Sequence, residues 1–364
     1  MSPHEIILAI MAVFAVLGGL DRIFGSRLGL GKGFEEGILS MGSLALSMAG
    51  IICLAPVLAN VLRPVVVPVY RFLGADPAMF AGTILANDTG GAALAKELAL
   101  TPEAGQLGGL LVGAMLGATV VFSIPVALGI LQPEDRPALA KGILAGVIAI
   151  PLGVFVGGVV AGFPVLMILR NLIPIALIAL LIALGLWKLE NAMIRGFALF
   201  GKVIIAITTV GLAAAIVEAT TGFVLIPGMA PASEAITVVG DIALVLAGAF
   251  PLVHVITKVF QRPLMALGKV LKMNDKAAGG LIASLANSIA MFGMVKDMDH
   301  RGKIINIAFA VSAAFVFGDH LGFTAGFDPT MLVPVIIGKL TGGVAAIAVA
   351  MLLTRRTPLE QTRA

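Results

Sequence analysis

The chain is written twice. Sliding residues 36–63 by 198 positions onto 234–261 gives ten identities in 28 positions, among them Glu36/Glu234, Gly42/Gly240, Ala49/Ala247 and Gly50/Gly248. About three matches are expected by chance at this composition, and a fixed offset of matches marks an internal repeat. Beyond this stretch the register drifts by one or two residues: Asp76 meets Asp275, Asn87 meets Asn287 and Lys96 meets Lys296. Polar residues at matching places in a duplicated apolar unit are the pattern of a secondary transporter.

Composition fixes the solvent. At 59% hydrophobic and 12% charged residues, the chain lacks the polar surface of a soluble globule, which carries about 25% charge. The net charge of +4 does not imply nucleic acid as a partner, because the basic residues lie in short loops and not on one face. Orientation in a membrane, with lipid as the partner, accounts for them. Cys53 alone excludes an internal disulfide and a cysteine metal site, and His4, His254, His300 and His320 have no ligand spacing. No metal or cofactor is expected. The first apolar run, 6–20, has no positive charge before it and Arg22, Arg27 and Lys32 after it. That order predicts a retained first span that starts outside, not a signal peptide.

Runs long enough to cross about 30 Å of hydrocarbon are 4–21, 38–62, 105–131, 140–163, 172–187, 200–218, 235–259, 303–327 and 331–353. Segments 77–98 and 276–298 are less uniform, with Asn87-Asp88-Thr89-Gly90-Gly91 inside one and Ser284, Asn287 and Ser288 inside the other. The basic stretches before them, 64–74 and 263–272, are expected along the interface. If both segments cross, eleven spans divide Lys and Arg about 12 to 11 and no orientation emerges. If both enter and return, nineteen fall on one side and four on the other, a strong positive-inside bias.

The expected fold is therefore an all-α polytopic membrane protein with nine crossings and two re-entrant hairpins, the alternative being eleven spans. Hairpin one then faces outside and its copy faces inside, so the expected repeats are inverted in topology and elevator-like. Within one transmembrane domain, 1–364, repeat one covers about 1–163, a linking span about 164–199, and repeat two about 200–354. A cytoplasmic tail, 355–364, follows.

Charge at mid-bilayer costs about 2.5–3.5 kcal/mol, so each buried ionisable residue asks for a function. Asp88 heads the list, beside Asn87 and Thr89 and followed by two glycines that permit an unwound turn. Freed backbone groups and the carboxylate there suit a cation; the structural reading is a capped hairpin tip. Asp319-His320 lies inside a predicted span, at the repeat position of Thr119-Val120 in the stretch 118–125 that includes Ser123, and suits a substrate ligand or proton carrier. Asn287 mirrors Asn87. Lys339 is the one basic residue deep in a predicted span, with Asp319 or Asp241 as the expected charge partner. As a fixed internal cation it also suits the place of a coupling ion.

Several stretches carry a resemblance. Phe34-Glu35-Glu36-Gly37, Met79-Phe80-Ala81-Gly82-Thr83, Asp88-Thr89-Gly90-Gly91, Ala95-Lys96-Glu97-Leu98, the run 121–129 and Gly318-Asp319-His320-Leu321-Gly322-Phe323-Thr324 resemble the ethanolamine utilisation transporter family, the EutH permeases, over nearly the whole length. The resemblance implies a permease of the bacterial inner membrane that imports ethanolamine; the multi-pass topology and cytoplasmic C-terminus are expected from the apolar runs and loop charge. The residues fit that substrate independently: a small ammonium ion needs a carboxylate, and its hydroxyl needs hydrogen-bond partners. Asp88, Asn87, Asp319 and Asn287 supply that set if the hairpins converge, with Thr89, His320 and Ser123 beside them. Alternating access by a uniporter is the expected mechanism and a homodimer the expected assembly. Another small amine or polar solute is the alternative cargo. An intramembrane aspartyl protease is disfavoured, since nothing in the sequence pairs a second aspartate with Asp319, and no enzyme is expected.

Overall fold

The computed structural model describes residues 1–354; the side chains of Trp187, Glu190, Ile194, Phe260, Gln261, Arg262, Leu264 and Leu267 are not described. The expected tail, 355–364, lies outside the described residues. The described chain is all-helical: α1 Pro3–Ile23, α2 Leu30–Phe72, α3 Ala78–Ile84, α4 Gly91–Leu98, α5 Pro102–Ile130, α6 Pro133–Val160, α7 Val165–Lys188, α8 Glu190–Thr221, α9 Ala232–Val270, α10 Asp275–Ala286, α11 Ser288–Met294, α12 His300–Ala313, α13 Asp319–Phe327 and α14 Leu332–Thr354. Eight of these are long and apolar enough to cross a membrane. The ninth expected crossing, 303–327, is instead two short helices, α12 and α13, separated at residues 314–318.

Burial sorts the spans. Within its apolar window α5 is 78% buried, whereas α1 is 17% and α8 28% buried. The central helix is thus α5, and α1 and α8 present their apolar faces outward, as expected where lipid replaces water. Two stretches join longer helices. Residues 64–72 and 263–270 are not separate segments; they continue α2 and α9, so that α2 runs for 43 residues, about 65 Å at helical rise. Pro56, Pro64 and Pro68 sit inside it, which membrane helices tolerate where neighbours re-satisfy the freed carbonyls.

The less uniform segments turn back on themselves. Asp76, just before α3, accepts hydrogen bonds from Ala78 N at 2.9 Å and from Leu100 N, just after α4, at 3.0 Å. The two ends of hairpin one are thereby clasped together. In hairpin two, α10 and α11, Asp299 accepts from Asn274 N at 2.8 Å, and the Asn274 amide donates to Asp297 O at 3.0 Å. One side chain closes hairpin one and two close hairpin two, so the ends of each segment lie together.

These clasps lie toward opposite ends of α6. Asp76 N is held by Asn171 Oδ1 at 2.7 Å, in the second turn of α7, the helix that follows the end of α6. Asp299 precedes Lys303, which pairs at 2.5 Å with Asp135 in the first turn of α6.

Candidate functional site

Four kinds of local structure converge at mid-molecule. The tip of hairpin one is unwound at Leu85-Ala86, forms a single 3-10 turn over Asn87–Thr89, and passes through Gly90 at φ +92 before α4. Hairpin two breaks at Asn287, whose backbone is extended. The interruption after α12 pairs with hairpin two, Phe315 N donating to Ser284 O at 3.0 Å and Phe317 N to Leu285 O at 2.9 Å. Across from these, α5 is wound as a π-helix over Leu107–Gly117 and again over Thr119–Ser123, a wide winding found at functional sites.

Between them lies a cavity of about 250 Å³, lined by Asp88 and Thr89 from hairpin one, Asp319 and His320 from α13, Ser40, Ser43 and Ser47 from α2, and Phe122 and Phe315. Asp88 keeps 18% side-chain exposure, and its Oδ2 stands 4.0 Å from His320 Nε2. Behind His320, the Lys339 ammonium donates to Ala114 O at 2.5 Å and lies 3.0 Å from His320 Nδ1. Lys339 is 1% exposed. Its partners are therefore a ring nitrogen and a carbonyl of α5, not Asp319 or Asp241, because α14 packs that face toward α5.

The three serines share one face of α2, at spacings of three and four residues. Each hydroxyl proton is already given to a backbone carbonyl: Ser40 to Gly37 O at 2.6 Å, Ser43 to Ser40 O at 2.8 Å and Ser47 to Leu44 O at 3.1 Å. Their lone pairs are left to accept, so with two carboxylates the cavity is rich in acceptors. Phe122 and Phe315 meet edge to face at 5.5 Å, and Phe315 lies 5.2 Å from the His320 ring. Such a chamber suits a small cation bearing a hydroxyl. Among the described residues no cluster of His, Cys, Asp or Glu has the grouping for a metal ion.

Of the residues singled out from sequence, Asp88, Thr89, Asp319 and His320 line this cavity. Asn287 does not; it lines a larger cavity of about 700 Å³ that shares Asp319 and reaches Arg27, Lys32 and Lys258, and its Oδ1 accepts from Ile289 N at 2.7 Å. Asn87 is 0% exposed with both amide atoms unpartnered, and its backbone packs toward Gly113 of α5. Ser123 faces a separate small cleft beside Leu139 and Phe292, so its neighbour Phe122 reaches the cavity in its place. Asp241 is exposed on α9 and lines none of these cavities. The serine stripe was the feature missed in sequence; its 3-4 spacing inside an apolar span was the available signal.

The family model "Ethanolamine utilisation protein, EutH" matches residues 4–353. A relative from Listeria monocytogenes named "Probable ethanolamine permease EutH" is 60% identical over 356 residues, covering 98% of this chain and 95% of its own. One of the same name from Escherichia coli K12 is 50% identical over 401 residues, covering 100% and 98%. The Bacillus subtilis "Uncharacterized protein YxeR" is 49% identical over 363 residues, covering 100% and 98%. No solved structure matches the chain.

Proposed function

The chain belongs to the ethanolamine utilisation protein EutH family, and from that premise we propose that it is a permease moving protonated ethanolamine across the bacterial inner membrane. The observation that carries the reading is the 250 Å³ chamber with Asp88 and Asp319 on its walls and serine acceptors facing them. Asp88 takes the ammonium group in a charge-assisted hydrogen bond. The serine oxygens and Thr89 accept the remaining ammonium protons, and Asp319 accepts from the substrate hydroxyl. Phe122 and Phe315 wall the short carbon chain. The charged form crosses lipid poorly, so the carrier matters most in acid, where little free amine remains.

Transport proceeds by alternating access between two inverted-topology repeats, about 1–163 and 200–354, with the N-terminus outside. The clasps at opposite ends of α6 support inversion, and the shared Asp319 links the chamber to the cavity with Arg27, Lys32 and Lys258. By the positive-inside rule that cavity is the cytoplasmic exit. A homodimer is the proposed assembly, its interface drawn from the outward apolar faces.

The test is uptake of labelled ethanolamine into proteoliposomes holding the full chain. Asp88→Asn is expected to raise the half-saturation concentration about 10- to 100-fold, the equivalent of a hydrogen bond to a charged group at about 1.5–3 kcal/mol. Unchanged affinity in a folded Asp88→Asn protein, or no ethanolamine uptake by the wild type, overturns the reading.

A further inference from the structure

Lys339 is the buried ionisable group that substrate binding leaves unexplained. Its Nζ makes two contacts, with Ala114 O and His320 Nδ1. An ammonium has donors only, so Nδ1 is the acceptor and the ring proton sits on Nε2. That nitrogen faces Asp88 Oδ2 at 4.0 Å. An imidazolium is excluded, because it turns an N–H toward the ammonium. The geometry is thus a one-way hydrogen bond from Lys339 on α14 to His320 on α13, whose Nε2 faces Asp88 of hairpin one across 4.0 Å without bonding it.

Charge balance follows from that arrangement. With His320 neutral and the acids and Lys339 counted as ionised, the chamber groups are two carboxylates, Asp88 and Asp319, and one ammonium. The empty site carries one net negative charge, and a single substrate ammonium brings it to zero. Remove the Lys339 charge and one substrate leaves a carboxylate uncompensated within the bilayer, which then calls for a proton or a second cation. The groups facing Lys339 are His320 and, beyond it, Asp88 and Asp319. The helices α5, α6 and α12 also pack around α14, and they carry no acid or base between residues 104–130, 142–160 and 304–313.

We infer that the Lys339 ammonium, locked against His320 and the Ala114 carbonyl, holds the place of a coupling cation, so that one substrate ammonium crosses with no second ion. Lys339 is a positioning residue by this account, acting on substrate through His320 and Asp88. The inference rests on reading the chamber as the ammonium site.

The experiment is uptake into proteoliposomes with the membrane potential clamped, with and without imposed proton or sodium gradients. Wild-type uptake is expected to be the same under both gradients. Lys339→Gln is expected to depend on outward sodium or acid, its uptake rising up to about tenfold per pH unit where one proton is required. Lys339→Arg keeps the charge and is expected to keep gradient-independent uptake. Wild-type uptake driven by either gradient overturns the inference, as does a Lys339→Gln protein as gradient-independent as wild type. Should Lys339→Gln be inactive, the charge moved per ethanolamine by the wild type decides: one elementary charge supports the inference and any other number overturns it. Absence of any wild-type ethanolamine uptake is a different result, and it strikes the proposed function instead.

Discussion

Hairpin one meets a continuous helix, and hairpin two meets a broken one. In the first half α5 runs unbroken beside the hairpin tip, widened into π-helical turns. In the second half the corresponding helix stops at Ala313 and resumes at Asp319, with Phe315 at φ +62 in the gap. The contact they share is a glycine against a hairpin carbonyl. A Cβ built on Gly117 would fall on Leu85 O, and one built on Gly318 on Ala286 O.

The chemistry is divided accordingly. The first half places its acid, Asp88, on the hairpin, and the second places Asp319 and His320 on the helix resuming after the break. Where Asp88 stands, the second copy carries Ser288 in the same register as Asn87 and Asn287. The two tips therefore differ, one carrying an acid and the other a hydroxyl. The freed Phe315 and Phe317 N–H groups of the break bond to hairpin two, whereas α5 retains its own ladder and lends the Ala114 carbonyl to Lys339.

The shared glycines give the largest test of this comparison. Gly117→Ala and Gly318→Ala each drive a methyl into a backbone carbonyl that has no side-chain freedom to yield. Each is expected to cost about 3 kcal/mol, the upper range for overpacking, read as a lost or strongly lowered melting transition in detergent. One variant tolerated and the other not would show that only one half depends on close packing.

The clasps should separate the halves next. Asp76 is 9% exposed, and Asp76→Ala leaves the Ala78 and Leu100 donors without a partner, at about 1–3 kcal/mol for a buried donor. Asp299 is only half-buried and Asn274 is exposed, so water replaces the lost carboxylate. Asp299→Ala is then expected to cost about 1 kcal/mol, as for loss of an N-cap. Thermal unfolding of the pair checks the order, and equal losses would remove the distinction between a dry and a wet clasp.

The smallest effect belongs to the serines. Ser43→Ala is expected to raise the half-saturation concentration a few-fold, since a neutral hydrogen bond contributes about 0.5–1.5 kcal/mol. Ser123→Ala, which touches a different cleft, is the matched comparison and should leave uptake unchanged. A larger effect from Ser123 than from Ser43 would move the site toward hairpin two.

Much of the frame was legible in the residues. Eight of the nine apolar runs became spans, and loop charge favoured turning 77–98 and 276–298 back before any contact was known. Asp88 and Asp319 stood out because an acid in hydrocarbon is costly wherever the chain goes. The choice of Phe122 over Ser123 was not legible, since adjacent residues on a helix differ by about 100° in facing and a π-helical turn shifts that angle. Nor was the division of 303–327 into α12 and α13, because its freed donors are satisfied by carbonyls of hairpin two, some thirty residues earlier in the chain.

What the sequence determined by itself, then, is what depends on the solvent: membrane residence, the spans, the looped segments and which charges demand a reason. Tertiary packing alone decided which partners those charges have. Lys339 faces Ala114 and His320, and Asp241 faces outward, because rotation and depth of each helix follow from how its neighbours fit, a relation between distant residues that no local pattern carries.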